Sequence, residues 1–487
     1  MRGLLFALLA MLLVTGDTTS AISALRKNAL AASNPAALLY RASLLGDQVA
    51  QDMLVDYATM QKNRYWLQRM VALDHPEAAW ALYELRGPEA SEGELMELAA
   101  KGGVPQAQLA YAMSVDGAEL RERWLKKSAN QGYEPAQAAL ADWYLLQEQP
   151  EKARPWLALT ADNDNQAAYK YGRLLWETGN REEGKAYLIR SAQSGNDTAR
   201  ALLDILGRYQ PQPPAEVTAY SWPARDCKQR IQFFAASLPT IQRADTFYRA
   251  FKSDDRLATL PICVAPPVWL PRDTLNCDKD WRGSGRLGCD IRPVAPAVDA
   301  RDATHIVVVA EQGKANVHNG VMYLDISDAY SVFVHELAHF SGFADEYPMT
   351  ASAARRFCQP ASMPINQSPN IVFHGALTYA PARTLSRWQT LSPGHGIWPA
   401  KTCESVDAPA YKPSGEITFM EHHDSGVIPP LYLKLWQAQI NDRTQQRPVS
   451  MNLFQAFHGA GQTPQAGYWL SRYHRETGQA GQAAGAN

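Results

Sequence analysis

The sequence predicts a multidomain protein, in which an N-terminal all-α solenoid of helical-hairpin repeats precedes an α+β domain. Three observations support this: a recurring apolar spacing in the first two hundred residues, a proline-rich break near residue 211, and a mixed strand and helix pattern beyond it. A length of 487 residues is enough for two or three domains with separate cores. The 47 basic residues nearly balance the 49 acidic ones, so the composition gives no support for a nucleic-acid partner.

The N-terminus has the pattern of an export signal. Arg2 precedes an apolar run from Leu4 to Val14, and the small residues Thr19 and Ala21 suit a cleavage site. This run is too short to span a bilayer, which takes about 20 residues. We therefore predict a signal peptide at 1–21, a periplasmic or secreted protein, and no integral membrane span in the mature chain. An uncleaved signal that anchors the chain to a membrane is the alternative.

The repeat pattern occupies residues 22–208. An alanine is followed four residues later by a large apolar residue at Ala50/Leu54, Ala78/Leu82, Ala107/Tyr111, Ala136/Leu140, Ala167/Tyr171 and Ala199/Leu203. Positions i and i+4 lie on one helix face, and alanine lets a second helix approach closely. Each period therefore predicts two short antiparallel helices, and the hairpins should stack because one hairpin cannot bury its apolar face alone.

One repeat carries a family resemblance. Residues 130–140, Asn-Gln-Gly-Tyr-Glu-Pro-Ala-Gln-Ala-Ala-Leu, resemble the signature of Sel-one-like repeats, which are short relatives of TPR repeats. This resemblance implies an array that binds a protein partner. The alternative is an array that only packs against the rest of the molecule, since solenoids present concave surfaces without necessarily using them.

The second half of the chain begins after a stiff proline-rich segment. Residues 209–218 are predicted to be a linker, and 219–447 to be the α+β domain. Within that domain, the β-branched run His305–Val309 and the segment Gly320–Asp325 predict strands. Residues 329–340 have helical periodicity.

The repeat cadence returns near the C-terminus. Thr463-Pro464-Gln465-Ala466 matches residues 104–107, so we predict one more repeat-like helical hairpin at 448–478, docked on the solenoid. The Gly/Ala/Gln tail at 479–487 is predicted to be disordered.

The cysteines are confined to the middle of the chain. In an exported protein, an even number within one domain indicates up to three disulfides. Fifteen pairings are possible, and the local pair Cys277–Cys289 is the one we favour. The six cysteines are Cys227, Cys263, Cys277, Cys289, Cys358 and Cys403.

The residues that carry chemistry lie in the predicted helix at 329–340. His335 and His339 are four residues apart, so their imidazoles project from one helix face and can share a metal ion. Glu336 stands beside the first histidine, where it can reach a metal-bound water. The pattern H-E-x-x-H therefore predicts one catalytic Zn²⁺, with Glu336 as the catalytic residue.

The residues that follow resemble a known class of zinc enzyme. With Gly342 and Asp345, the string His-Glu-x-x-His-x-x-Gly-x-x-Asp has the spacing of the metzincin zinc site. Residues 343–347, Phe-Ala-Asp-Glu-Tyr, look like the corresponding segment of IgA-peptidase-type metallopeptidases. The resemblance implies a metzincin-like zinc metallopeptidase domain with His335, His339 and Asp345 as metal ligands. Glu346 is the alternative third ligand.

The resemblance also implies supporting residues. Metzincins place a methionine turn beneath the metal, and Met420 is our candidate, with ordinary core packing as the alternative. Tyr347 is expected either to hydrogen-bond near the metal or to pack in the core. Gly320–Asp325 stands where such enzymes keep the edge strand that pairs with extended substrate. His318 and Asn319 are expected to form a turn or to line the cleft.

Together these patterns predict an exported zinc-dependent endopeptidase. It would hydrolyse peptide bonds by a zinc-bound water with Glu336 as the general base, while the repeats bind substrate or a partner. Two alternatives are a protein-binding repeat scaffold with an inactive peptidase-like domain, and a zinc hydrolase of a non-peptide envelope substrate.

Overall fold

The computed structural model describes residues 18–87, 93–223, 226–358, 368–373 and 382–479. The chain forms two compact units, residues 1–201 and residues 202–487. Most of the predicted signal peptide and of the predicted disordered tail lies outside the described residues. In the part that is described, no helix has both the length and the apolar character needed to cross a membrane.

The repeat region is a succession of short helices joined by tight turns. The turns contain glycines with positive φ, such as Gly132 and Gly195. Glycine adopts this backbone conformation readily because it has no Cβ. The helices are Thr18–Ala31, Ala36–Ser43, Gln48–Met60, Arg64–Val71, Pro76–Arg86, Gly93–Lys101, Pro105–Ser114, Ala118–Ala129, Glu134–Leu146, Pro150–Thr160, Asn165–Glu177, Arg181–Gln193 and Asp197–Arg208.

The predicted small positions form the contacts between these helices. All six alanines of the repeat pattern are buried, and Ala50, Ala78, Ala107 and Ala136 are fully inaccessible. Side chains also join successive repeats: Ser128 Oγ donates to the Pro105 carbonyl at 2.7 Å. The helical-hairpin repeats predicted from the spacing are therefore present.

A pair of glycines allows two helices of this region to approach closely. A Cβ on Gly184 would lie 2.6 Å from both the Gly172 carbonyl oxygen and the Trp176 nitrogen. Because both atoms are backbone, Gly184→Ala is expected to destabilise the repeats by about 1–3 kcal/mol. The measurement is urea unfolding followed by far-ultraviolet circular dichroism.

The matched control is Gly207→Ala, also within a helix. A Cβ at Gly207 would meet no atom within 4 Å. This variant is expected to gain up to about 1 kcal/mol, because alanine favours the helix. Equal effects of the two substitutions would contradict a close helix approach at Gly184.

The second unit is built on a five-stranded sheet. The strands are β1 Gln229–Ala235, β2 Ile262–Trp269, β5 His305–Ala310, β6 Asn316–His318 and β7 Val321–Asp325, in the order β2-β1-β5-β7-β6. Strands β2, β1, β5 and β7 run parallel, and β6 pairs antiparallel with β7 at the edge. Strands β5 and β7 are buried along their whole length, as expected for parallel strands covered on both faces.

Two predictions differ from this sheet. Because four strands are parallel, and helices connect β1 to β2 and β2 to β5, the unit is α/β rather than the predicted α+β arrangement. The segment Gly320–Asp325 is also not the edge strand, since β7 lies between β5 and β6. The edge strand on this side of the sheet is Asn316–His318, which is too short for an alternating pattern to reveal it in the sequence.

Helices and small strands complete this unit. The hairpin β3 Cys277–Asp278 and β4 Gly288–Cys289 is separate from the main sheet, as is the small sheet of β8 Val372–Phe373, β9 Trp398–Ala400 and β10 Ala410–Lys412. The helices are Leu238–Lys252, Ala295–Ala300, Tyr330–His339, Ala351–Phe357, Ala382–Leu391, Pro430–Asn441, Val449–Gly459 and Thr463–Thr477.

The C-terminal hairpin packs within the α/β unit. Val449 and Leu453 lie in the same buried cluster as Val308 of β5 and Val321 of β7. The Val449 amide donates to the Thr304 carbonyl at 2.8 Å. The two predicted helices at 448–478 are present, and their docking on the solenoid stays a prediction.

The predicted linker is partly structural. Residues Pro214–Glu216 form a short 3-10 turn, and Val217 is buried in the core cluster of the sheet. All six cysteines are paired, as Cys227–Cys263, Cys277–Cys289 and Cys358–Cys403. The local pairing Cys277–Cys289 is therefore confirmed.

Candidate metal centre

The helix Tyr330–His339 presents the H-E-x-x-H residues. Its inner face carries Phe333 and Leu337, both fully buried, and the Phe333 ring lies 5.6 Å from Phe233 and 5.8 Å from Phe247. This aromatic contact holds one face of the helix against the sheet. His335 and His339, four residues apart, share another face.

The two histidine rings are oriented by backbone carbonyls. His335 Nδ1 lies 2.8 Å from the Phe419 carbonyl oxygen, and His339 Nδ1 lies 2.8 Å from the Phe343 carbonyl oxygen. A carbonyl only accepts hydrogen bonds, so each Nδ1 carries a proton, and Nε2 is the ring nitrogen left to bind a metal ion. The two Nε2 atoms face each other at 3.2 Å.

Asp345 completes the cluster. Its Oδ1 lies 3.0 Å from His335 Nε2 and 3.2 Å from His339 Nε2. Burial works to lower the pKa of His339, but the Asp345 carboxylate beside it raises that pKa to about 9. Burial works to raise the pKa of Asp345, but the neighbouring histidines hold that pKa well below its usual range.

This donor set fits a zinc ion. Two nitrogen lone pairs and a carboxylate oxygen converge on one point, an arrangement that repels itself unless a proton or a cation lies between them. Zinc ligands in tetrahedral sites lie about 2.0–2.2 Å from the metal, which places them roughly 3.3 Å from one another. The observed separations of 3.0 to 3.2 Å are close to that value.

Glu336 stands next to the cluster and outside the three converging atoms. The ligand atoms of His335, Glu336 and His339 lie within 4.8 Å of one another, and Glu336 is buried. A second carboxyl is close by: burial, with the charges of Asp325 and Glu336, raises the pKa of Asp328 to about 6. Glu336 therefore lies beside the cluster, with Asp328 as an acidic neighbour.

Glu346, the alternative third ligand, is engaged elsewhere. It is fully buried, and Tyr432 and Thr418 donate their hydroxyl hydrogens to its carboxylate at 2.5 and 2.6 Å. Asn370 Nδ2 donates at 2.9 Å, and Lys412 Nζ lies 3.2 Å from Glu346 Oε2. The structure thus brings Asp345 to the histidines and points Glu346 into a buried polar network.

Lys412 is the positive charge of that network. Its ammonium is almost completely buried between Glu346 and Glu421. Lys412→Met leaves two carboxylates without their shared cation, so we expect a loss of about 3–5 kcal/mol in the stability of the α/β unit. Hydrogen exchange of the peptides that contain Glu346 and Glu421 measures this loss.

Lys401→Met is the matched control for that experiment. Lys401 also pairs with Glu421, at 2.9 Å, but its side chain is 61% exposed. An exposed ion pair contributes about 0–1 kcal/mol, so exchange should change little. Comparable exchange in the two variants would contradict a buried, stabilising role for Lys412.

Met420 belongs to the turn that carries Phe419, the hydrogen-bond partner of His335. Its side chain is fully buried, and its backbone carbonyl accepts a hydrogen bond from the Glu346 amide at 3.0 Å. The preceding residue, Phe419, supplies the carbonyl that orients His335. The turn therefore connects the histidine helix to the segment that carries Asp345.

Tyr347 lies beside the cluster and is 39% exposed, so it is not a core residue. Its ring centroid is 6.1 Å from that of His335, and the two rings are nearly parallel. Burial and the nearby Asp345 carboxylate raise the pKa of Tyr347, which keeps its hydroxyl protonated and able to donate.

The cluster opens into a cleft of about 830 Å³. Glu336, His339 and Asp345 line it together with the edge strand β6. His318 and Asn319 also line it, at the end of β6, where Asn452 Nδ2 donates to the His318 carbonyl at 2.9 Å.

Several residues of this site have no signal in the sequence. Asn370 and Lys412 reach the Glu346 network from distant segments, and nothing in their local sequence marks them. Arg286 also lines the cleft. It lies between Cys277 and Cys289, so the predicted disulfide indicates an ordered loop around it but gives no role to Arg286 itself.

Two solved structures of repeat proteins are similar to part of this chain. No protein-family model and no curated protein matches this chain. A Sel1 repeat protein from Oxalobacter formigenes is similar in its crystal structure, with 16% identity and a TM-score of 0.27 over 34% of this chain and 78% of that one. A protective antigen present in uropathogenic Escherichia coli strains, displaying an SLR fold, has 19% identity and a TM-score of 0.30 over 39% of this chain and 48% of that one. The presence of repeats here rests on the helices and buried alanines themselves.

Proposed function

We propose that the α/β unit is a zinc-dependent peptidase. The observation that carries this proposal is the convergence of His335 Nε2, His339 Nε2 and Asp345 Oδ1, in which backbone carbonyls orient both rings so that each Nε2 faces the carboxylate. The metzincin spacing of these residues supports the same reading.

Each residue has a distinct role in the proposed reaction. His335, His339 and Asp345 would hold the ion, and a bound zinc supplies a Lewis acid for a carbonyl and lowers the pKa of water. Glu336 takes the proton from the attacking water and returns it to the leaving amine. Tyr347 is placed to donate a hydrogen bond at the mouth of the cluster.

The cleft supports an extended peptide as substrate. The β6 edge strand lines the same cleft as Glu336 and His339, and its outer side has no strand partner within the described residues. An extended chain can add to such an edge through backbone hydrogen bonds. A peptide that pairs with β6 therefore passes the base and the metal ligands.

The test is zinc content together with proteolysis by the purified full-length protein. We expect about one zinc per chain and cleavage of an unfolded protein substrate. Activity should disappear on chelation and return when zinc is added back. Zinc binding without cleavage of any peptide would overturn the peptidase, and the absence of zinc would overturn the metal centre.

A second function, a protein-binding scaffold, is supported by the repeats. Most of the large apolar side chains that are exposed among the described residues lie in the first unit, for example Leu44, Leu45 and Val49. Exposed apolar patches are typical of binding surfaces. Zinc-independent binding of a protein by the full chain, lost in a Leu44→Ser/Leu45→Ser/Val49→Ser variant and unaffected by Glu336→Gln, supports this function.

A further inference from the structure

The wall of the cleft next to the edge strand is positively charged. Arg282 and Arg286 lie on the loop that joins β3 to β4, and both line the cleft that contains Glu336 and Asp345. Arg292 also lines the cleft, but its charge is neutralised by Asp290, whose Oδ2 lies 2.6 Å from Arg292 Nη2. Among the described residues, no carboxylate lies within ion-pair distance of Arg282 or Arg286.

The loop that carries these arginines is held in place. The disulfide Cys277–Cys289 closes it, and the Trp281 amide donates to the Arg286 carbonyl at 2.9 Å. Trp281 packs so closely on Gly288 that a Cβ there would lie 2.5 Å from the indole ring. The backbone that presents Arg282 and Arg286 is thus ordered before any ligand binds, which lowers the entropic cost of recognition.

Arg286 also lies at the start of the edge strand. Its guanidinium donates to the Ala315 carbonyl at 3.4 Å, and Asn316 Nδ2 donates to the neighbouring Leu287 carbonyl at 2.8 Å. A peptide that pairs with β6 therefore passes Arg286 close to where it passes the metal ligands. The Arg286 guanidinium keeps further N–H donors that are not used by Ala315, and their planar arrangement matches the two oxygens of a carboxylate.

We propose that this cleft selects acidic peptide segments, with Arg286 as the specificity-determining residue that binds a substrate carboxylate beside the cleaved bond. The proposal rests on the proposed peptidase function. Within the cleft, Glu336 and Asp345 are committed to the reaction centre and Asp290 to Arg292, so the charge left for the substrate is positive. The carboxylate is a glutamate or aspartate side chain; the chain terminus is the other source of the same chemistry.

The first experiment measures cleavage by zinc-loaded full-length protein. Matched peptides carry Glu or Gln within three residues of the cleaved bond, each with a free or an amidated C-terminus. We expect the Glu peptides to have roughly tenfold or higher kcat/KM, which corresponds to about 1.4 kcal/mol. The preference should shrink at high salt because the arginines are exposed. A preference that survives amidation assigns the side chain; one that requires the free C-terminus assigns the terminal carboxylate.

The variants connect this preference to one residue. Arg286→Gln should remove the Glu preference, Arg286→Glu should reverse it in favour of Lys, and Arg286→Lys should restore part of it. Arg475→Gln is the control, because Arg475 is exposed in the same unit and does not line the cleft. Equal cleavage of Glu and Gln peptides by the wild type, or a Glu preference unchanged in Arg286→Gln, overturns the proposal.

A binding measurement separates this proposal from the peptidase itself. In the Glu336→Gln background, fluorescence anisotropy of the labelled Glu peptide should show about tenfold tighter binding than of the Gln peptide, and Arg286→Gln should remove the difference. Charge-selective binding without cleavage by the wild type would reject the peptidase and retain the recognition of a carboxylate. Cleavage without charge-selective binding would retain the peptidase and reject the role of Arg286.

Discussion

Glu336→Gln is expected to lower kcat/KM for peptide cleavage by roughly 10²–10⁴-fold, the range that a positioned general base contributes. Glutamine keeps the size of the side chain but cannot accept the proton. Zinc content should stay at about one ion per chain, because the three atoms that converge belong to His335, His339 and Asp345. Parallel assays of zinc content and peptide cleavage measure both effects.

The control for this substitution is Glu404→Gln. Glu404 is exposed in the same unit and does not line the cleft. Glu404→Gln removes the same charge as Glu336→Gln. Because Glu404 lies outside the cleft, we expect activity to stay at the wild-type level. A Glu336→Gln protein that keeps more than a tenth of the activity would show that another group acts as the base.

Asp345→Asn and Glu346→Gln are expected to separate metal binding from stability, although the two acids are adjacent. Removing a residue that only orients a ligand typically costs 10–100-fold in metal affinity. Asp345→Asn removes a ligand charge itself and should therefore cost about 100-fold or more. Chelator competition at one fixed pH measures this, because zinc competes with protons for the same groups.

Glu346→Gln should act on the fold. Its carboxylate is the common acceptor for Tyr432, Thr418, Asn370 and Lys412, so the substitution leaves Lys412 without one of its two carboxylate partners. We expect a loss of about 3 kcal/mol in the stability of the α/β unit. Zinc affinity should change by less than about tenfold. A larger loss of zinc affinity in Glu346→Gln than in Asp345→Asn would reverse the assignment of the two acids.

The features predicted well from the sequence depend on neighbours along the chain. The small positions of the repeats are buried as predicted, since an i, i+4 pair occupies one face of any helix. The same geometry brings His335 and His339 together. The Cys277–Cys289 pair also formed, across a separation of only 12 residues.

The choice between Asp345 and Glu346 shows where sequence patterns stop. The side chains of adjacent residues leave the backbone in different directions. The spacing along the sequence is compatible with either acid as the third metal ligand. The buried partners of Glu346 favour Asp345, because Tyr432 and Lys412 hold the Glu346 carboxylate in a separate network. The edge strand is a similar case: whether β6 or β7 lies outside depends on strand order, which neither segment encodes locally.

The sequence by itself determined the helical repeats, the helix that bears His335, Glu336 and His339, and the local disulfide, because each follows from short-range periodicity or spacing. Only the tertiary structure decided how that helix becomes a site. The carbonyl that orients His335 comes from Phe419, 84 residues away, and the cation that neutralises Glu346 comes from Lys412, 66 residues away. Such contacts depend on the packing of the sheet, the turn and the small strands against one another, which no local pattern specifies.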